Sequence, residues 1–548
     1  MSLPPLPAAD AAWVARTRDS LSSDAKIAQL FNFAVRDSVP EEVDALIVLG
    51  AGAYHRFPGA DLATAREITR RVLAESTVPP LISGDIEGGG ISFGFATAFP
   101  NQLGIAACND LALSAEIARM VARESLAMGF NWSFAPVVDV NAAFRSTIVG
   151  TRSYGSDPAR VLAQARSYVR ALQAEGVAAT AKHWPGEGYD ERDQHLLTTV
   201  NPLPMEQWRA VFGTIYRTLI DDGLLSIMAG HIALPAWHGE IGRDAFVPAS
   251  LSRALSVDLL RGELGFDGLL ISDATVMAGM ATWMDRAWAV PAVIENGCDM
   301  FLFSRDAAAD VAHMRAGLRA GLLSEARLEE AVTRVLTLKA RLGLHRTTPA
   351  ERLPEDMPAL RTPGHIALAA RAAARSLTLV KDVTGLLPLD PATSRRVLLL
   401  DEGEEPIFID GAPKRSFAPL VEGLQAAGFV VRRHDPAHPP SRDDTDLLLY
   451  LVGHESTPVV ASNRIDWIAL HGGAKKAMSR FWPAIPTVMV SFGHPYLLHD
   501  APDVPTYVNA YSAIPAVQAA LAAALTGAAS FTGVSPVDPF CGQPAARF

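Results

Sequence analysis

The segment GVAATAKHWPGEGYDERDQH, residues 176–195, decides how the chain is read. Its first part, Val177–Ala181, is small and apolar without strict alternation. Strands covered on both faces, as in parallel sheets, read this way. The run then gives way to Lys182, His183, Glu187, Asp190, Glu191, Arg192, Asp193 and His195. A solvated turn has the same composition. In a parallel α/β protein, however, the place where a strand ends is also where ligands sit, so the neighbouring segments must decide.

Working outward, similar apolar runs recur up to about residue 345, separated by amphipathic stretches. Strand candidates are QLFNFAV (30–35 region), ALIVLG (45–50), PPLISGD (79–85), NWSFAPVVDV (131–140), VAATAKH (177–183), LLSIMAGH (224–231), GLLISDA (268–274) and DMFLFS (299–304). ARVLAQARSYVRALQAEG (159–176) carries apolar residues at three-and-four spacing, as a helix does. QLFNFAV is the weakest strand, because KIAQLF can continue a helix. Eight strand–helix units predict a (β/α)8 TIM-type barrel over residues 1–345.

Residues 346–365 are rich in proline and charge and read as a linker. Alternation resumes over 366–548 with RVLLLDEG (396–403), GFVVRRHD (428–435), DLLLYLVG (446–453), PTVMVSFG (486–493) and PTYVNAYS (505–512). With LQAAGF and AVQAALAAALTGA as helices, this second unit is expected to be a smaller αβα sandwich. No internal repeat is present.

Bulk properties narrow the function classes. The chain has 548 residues, enough for two domains, and its net charge of −11 disfavours nucleic acid or an anionic membrane surface as partner. Three scattered cysteines, Cys108, Cys298 and Cys541, suggest neither a disulfide framework nor a thiolate metal site. The N-terminal segment lacks the pattern of a secretory signal, and no apolar run is long enough to span a bilayer, so a cytoplasmic location is expected.

Polar residues cluster at the predicted strand ends: Asp85, Asp139, Asn141, Lys182, His183, His231 and Asp273. A barrel active site accounts for them together better than separate caps do. Alone, Asp273 in LLISDATVM reads more readily as a helix cap than as a positioned carboxylate. Asp193 and His195, two apart, point the same way in an extended segment. An aspartate so placed can hold one ring nitrogen and favour the imidazolium, which can then donate a proton and recover it; on spacing alone, a surface Asp–His pair is the commoner reading. Lys182–His183 can clamp hydroxyls or form a buried ion pair. His231 is a ligand, a hydroxyl donor or a satisfied core histidine. Arg152, in IVGTRSYG, is a surface charge or an anion and hydroxyl contact. No HxH or HExxH spacing supports a metal, and GDIEGGG lacks the phosphate-loop patterns. No cofactor is expected.

These motifs together resemble glycoside hydrolase family 3, in particular its bacterial β-N-acetylglucosaminidases. KHWPGEGYDERDQH is similar to the family's KHFPGHG, four residues, DSH. GDIEGG, FAPVVDV, IVGTRSYG, SIMAGHIALP and FDGLLISDATVMAGM follow as counterparts of DQEGG, FAPVLDV, IGDRSFG, VMTAHI and FDGVVFSDDLSMEG. TVMVSFGHPYLL and TYVNAYS resemble the core of the family's C-terminal sandwich. The resemblance covers about residues 20–345 well and 365–540 moderately.

The resemblance implies Asp273 as nucleophile, His195 as general acid then base, and Asp193 as its orienting partner. It implies Asp85, Arg152, Lys182, His183 and His231 around the terminal sugar. The departures are Gly90 after EGG, Glu187 for the His of GHG, Tyr189 after it, and Ala274 after the nucleophile. Glu187 is a spare carboxylate that could compete for the acid/base role. The implied activity is a retaining exo-β-N-acetylglucosaminidase acting on small saccharides or cell-wall fragments. The alternatives are a β-N-acetylglucosaminide phosphorylase, another family 3 β-glycosidase such as a β-glucosidase, and a non-catalytic sugar-binding protein. The second domain is expected to supply no catalytic group.

Overall fold

Eight short parallel strands line the first half of the chain: β1 (Phe31–Arg36), β2 (Ala53–Phe57), β3 (Leu81–Gly84), β4 (Trp132–Ser133), β5 (Ala178–Trp184), β6 (Ser226–Ala229), β7 (Leu269–Ser272) and β8 (Phe301–Leu302). The computed structural model describes residues 3–548 except 38, 40, 41, 58–60, 90–92, 240, 241, 358, 403–415 and 461. The strands follow one another in order, β8 pairs with β1, and a bridge between Ile271 and Met300 joins β7 to β8. The expected (β/α)8 barrel is formed.

Its runs lack polar alternation because both faces are covered. Leu81, Met228, Leu269 and Ile271 pack in one cluster, while their neighbours Ile82, Ile227 and Leu270 pack in another with the surrounding helices. Within the first cluster, Trp132 Nε1 donates to Thr180 Oγ1 at 2.8 Å, so the buried indole keeps a hydrogen bond.

One strand assignment in the barrel changes. ALIVLG is not β2; Glu42–Val48 is a helix that buries Val43 and Ile47 and leaves Val48 exposed. Its apolar residues were at helical spacing all along. The strand is AYHRF, which looks polar but is buried, because its charges have partners. Arg56 pairs with Asp37, and His55 Nδ1 lies 3.1 Å from Ser83 Oγ. QLFNFAV, by contrast, does hold β1.

The second sheet has six strands: β9 (Thr378–Asp382), β10 (Arg396–Asp401), β11 (Val430–Arg433), β12 (Leu447–Val452), β13 (Thr487–Ser491) and β14 (Thr506–Asn509). Their spatial order is β9-β14-β13-β12-β10-β11, with β9 alone antiparallel. β9 was not foreseen, since its TLVKD core is short and half exposed. Along β12, Leu447, Leu449 and Leu451 face one core and Leu448, Tyr450 and Val452 the other. That two-sided burial explains why LLLYLV is apolar throughout. Helices Ala418–Ala426 and Pro515–Leu525 cover the first face, and Leu470 and Trp482 pack on the second. Gly403, at the end of the predicted RVLLLDEG strand, lies outside the described residues.

Helix Pro363–Ser376 packs both on Pro515–Leu525 and on the barrel-side helices Gln102–Ala107 and Leu111–Ala127, which ties the two units together. Among the described residues, no helix is long and apolar enough to cross a membrane.

Candidate active site

The polar strand ends converge at the C-terminal rim of the barrel, where parallel strands leave their functional residues. Asp85 and Glu87 follow β3, Asp139 follows β4, and Lys182 and His183 are the last turns of β5. His231 follows β6 and Asp273 follows β7.

Lys182 is buried and lies between two carboxylates. Its Nζ is 2.7 Å from Asp85 Oδ1 and 2.7 Å from Glu87 Oε1. Glu87 also takes a fork from Arg152, with Nε at 2.8 Å and Nη2 at 2.9 Å. Burial alone would raise the Glu87 carboxyl; Arg152 and Lys182 outweigh it and hold the group well below the usual carboxylate range. Burial likewise opposes the charge on Lys182, but Asp85 and Glu87 raise its pKa overall. Glu87 was not singled out in the sequence. Its signal was its place two residues after Asp85 in GDIEGG, beside a buried lysine.

His183 is fixed by Asp139. Its Nδ1 is 2.7 Å from Asp139 Oδ2, and Asp139 Oδ1 accepts the backbone N–H groups of His183 at 3.1 Å and Glu187 at 2.8 Å. The other ring nitrogen, Nε2, lies 3.9 Å from Asp273 Oδ2 and 3.5 Å from Arg152 Nη2. Asp273 is buried, and its Oδ1 accepts the Ala274 N–H at 2.7 Å. Burial pushes its carboxyl up, yet the surrounding histidines, His183 first, lower it overall. It is therefore an ionised carboxylate in a shielded place, which suits a nucleophile.

The segment 186–199 crosses in front of this group. Asp193 Oδ1 accepts the His195 backbone N–H at 2.9 Å and lies 2.6 Å from its Nδ1. With Nδ1 held by Asp193, Nε2 is on the opposite edge of a ring whose side chain is 21% exposed. Burial would raise the Asp193 carboxyl, but its hydrogen bond to His195 carries it lower. His195 O accepts from Ala278 N at 3.0 Å, which links this loop to the segment after Asp273.

The glycines here permit close approach of the backbone to its neighbours. A Cβ at Gly188, where φ is +109°, would lie 1.9 Å from Val140 O, and Ala143 N donates to Gly188 O at 2.7 Å. Glu187, between the glycines, is buried. It accepts from Gln194 Nε2 at 3.1 Å and Thr199 Oγ1 at 3.3 Å. Burial and the neighbouring Asp139 push its carboxyl well above the usual range, which favours its neutral form. Gly90 lies outside the described residues.

His231 is buried with both ring nitrogens engaged: Nδ1 is 2.8 Å from Ser250 Oγ, and Nε2 is 2.9 Å from Ala274 O. It braces the residue after Asp273 instead of opening toward the cleft. Burial lowers its pKa. Asn141 is spent on the backbone, donating to Gly150 O at 3.0 Å. Asp139, His183 and Glu187 bring three possible ligand atoms within 4.8 Å of one another. Asp139 is already committed to His183 and to two backbone N–H groups, and Glu187 to Gln194 and Thr199, so the cluster is engaged in its own hydrogen bonds.

Comparison with known proteins gives one consistent result. Residues 22–338 match the glycosyl hydrolase family 3 N-terminal domain. A beta-N-acetylglucosaminidase/beta-glucosidase from Cellulomonas fimi is 41% identical over 97% of this chain and 96% of its own. A beta-hexosaminidase from Mycobacterium tuberculosis is 32% identical over 58% of this chain and 83% of its own. Among solved structures, a beta-glucoside phosphorylase bound to 2FGlc superposes with a TM-score of 0.91 at 34% identity, covering 98% of both chains. A beta-N-acetylglucosaminidase from Paenibacillus shares the fold, with a TM-score of 0.81 at 24% identity over 95% of this chain and 99% of its own.

Proposed function

The chain belongs to glycosyl hydrolase family 3, and from that premise we propose that it is a retaining exo-β-N-acetylglucosaminidase that also accepts β-glucosides. The observation that carries the reading is the pairing of a shielded, ionised Asp273 with a half-open Asp193–His195 pair across the barrel rim.

In this reading, Asp273 attacks C1 of the terminal sugar. The C1–O bond breaks with its electron pair on the leaving oxygen, which takes the proton from His195 Nε2. The glycosyl–Asp273 ester is then opened by water, whose proton returns to His195, and the configuration at C1 is retained. Asp193 stabilises the imidazolium present before the first step and regenerated by the second, and between the steps it holds the neutral ring with Nε2 free to accept the proton of water. Asp85, Lys182, Arg152 and His183 form the sugar-hydroxyl clamp, with Glu87 and Asp139 holding them. His231 supports the Asp273–Ala274 turn.

A second reading is phosphorolysis, with phosphate in place of water in the second step. It is favoured by the similarity to a beta-glucoside phosphorylase along nearly the whole chain. A histidine acid/base also adds no negative charge to repel an incoming phosphate, whereas a carboxylate would.

The test is release of nitrophenol from the β-N-acetylglucosaminide and the β-glucoside, with and without inorganic phosphate. Turnover of both sugars in buffer alone supports hydrolysis. A phosphate requirement with a sugar 1-phosphate as product moves the assignment to phosphorolysis, and no turnover of either sugar rejects both.

A further inference from the structure

The barrel does not hold its acid/base pair alone. The segment GHESTPV, residues 453–459, leaves the end of β12 and reaches the barrel rim. Glu455 accepts from Asn101 Nδ2 at 2.8 Å and from Ser512 Oγ at 2.8 Å. Ser456 and Thr151 exchange hydrogen bonds: Ser456 N donates to Thr151 Oγ1 at 2.8 Å, and Thr151 N to Ser456 Oγ at 3.0 Å. The segment then ends on the pair itself, where Val459 N donates to Asp193 Oδ2 at 2.8 Å.

That last bond uses the oxygen His195 leaves free. Asp193 Oδ1 serves the ring and backbone of His195, and Oδ2 serves Val459, so the plane of the carboxylate is set from both sides. Val459 has φ +65°, a left-handed conformation that β-branched residues rarely adopt. Such outliers persist where the surroundings determine them, and they gather at functional sites. Thr151 immediately precedes Arg152 of the clamp, so the same segment braces both the clamp and the proton carrier.

We propose that the Val459 backbone amide is a positioning group for proton transfer, so that general acid catalysis in the barrel depends on the docked second domain. The inference rests on His195 being the acid/base. A mere stitch between domains would weaken turnover of every substrate alike. A positioning group for the proton carrier instead matters most when the leaving group needs a proton.

The experiment compares kcat/KM for aryl β-glycosides, from dinitrophenyl to unactivated phenyl, in the full chain. The variants are Val459→Pro, which deletes the donor and also forbids the native φ of +65°, Val459→Gly, which keeps the donor, Ser456→Ala, which loosens the segment without touching Val459, and His195→Ala. Expected for Val459→Pro is a loss of about 10- to 100-fold on phenyl glycosides but about threefold or less on dinitrophenyl glycosides. Val459→Gly should track the parent chain. Should Val459→Pro not fold, Ser456→Ala must show the same steepening in smaller degree. A uniform loss, or none, overturns the inference provided His195→Ala is steep. A flat profile for His195→Ala overturns the acid/base assignment and this inference with it.

Discussion

At the barrel rim, two aspartate–histidine pairs among the described residues have nearly equal length and opposite surroundings. Asp139 Oδ2 meets His183 Nδ1 at 2.7 Å, and Asp193 Oδ1 meets His195 Nδ1 at 2.6 Å. The first pair is buried at the end of β5, its aspartate pinned by two backbone N–H groups of the barrel. The second rides on a loop, its histidine partly exposed and its aspartate held from the other domain. In the proposed mechanism identical chemistry does two jobs. A pair locked on all sides can only present a hydrogen bond in a fixed direction, which suits a hydroxyl clamp. A pair with one open nitrogen at the mouth can pass a proton and recover it.

The sharpest way to break this comparison is to remove what the two pairs flank. Asp273→Ala should cost on the order of 10⁴- to 10⁶-fold in kcat whatever the leaving group, as removal of a covalent nucleophile does. Retention of more than a few per cent activity would place the nucleophile elsewhere. Next in size, His195→Ala should lose about 10²- to 10⁴-fold on poor leaving groups and little on dinitrophenyl glycosides. His183→Gln should lose about 10- to 100-fold on all of them, because it removes a hydrogen bond among charged groups. Kinetics across one leaving-group series read both variants. If His183→Gln has the steeper dependence, the two pairs have exchanged roles.

How much of this was legible in advance follows from which residues advertise themselves. The barrel was legible because parallel strands buried on both faces have to be apolar, as PPLISGD and GLLISDA are. It misled only where burial is achieved by pairing: AYHRF hides His55 and Arg56 behind Ser83 and Asp37, so the more apolar ALIVLG, a helix, drew the assignment. The rim residues were legible as polar ends of apolar runs. What they touch was not. That Lys182 needs Glu87, that His231 turns back to Ala274, and that Asp193 bonds to a residue 266 positions away are facts of chain crossing that no local pattern records. Nor does the sequence of HWPGEGY record that Val140 O leaves no room for a side chain at Gly188.

Glu187 gives the smallest effect and tests the comparison from the side. It sits among the fixed pair, its Oε2 3.8 Å from His183 Nδ1, yet it is a carboxylate and could in principle carry the proton itself. Its environment argues otherwise. Burial first, and then the charge of Asp139, push its carboxyl well above the usual range, so the native state keeps its proton to higher pH than the unfolded chain does. The unfolded chain releases that proton near pH 4.3. Above that pH the unfolded state gains from ionisation and the native state does not. The group's contribution to stability is therefore present below the unfolded pKa and is lost as pH rises toward the folded one. Glu187→Gln is neutral in both states and escapes the loss, and its amide can still meet Gln194 and Thr199. Melting temperatures of the two proteins should therefore nearly coincide at about pH 4 and diverge by roughly 2 °C in favour of the variant at about pH 8. The leaving-group profile should not move. If instead Glu187→Gln loses activity selectively on poor leaving groups, the proton belongs to the buried carboxyl beside His183, and the division between a fixed pair and a working pair is wrong.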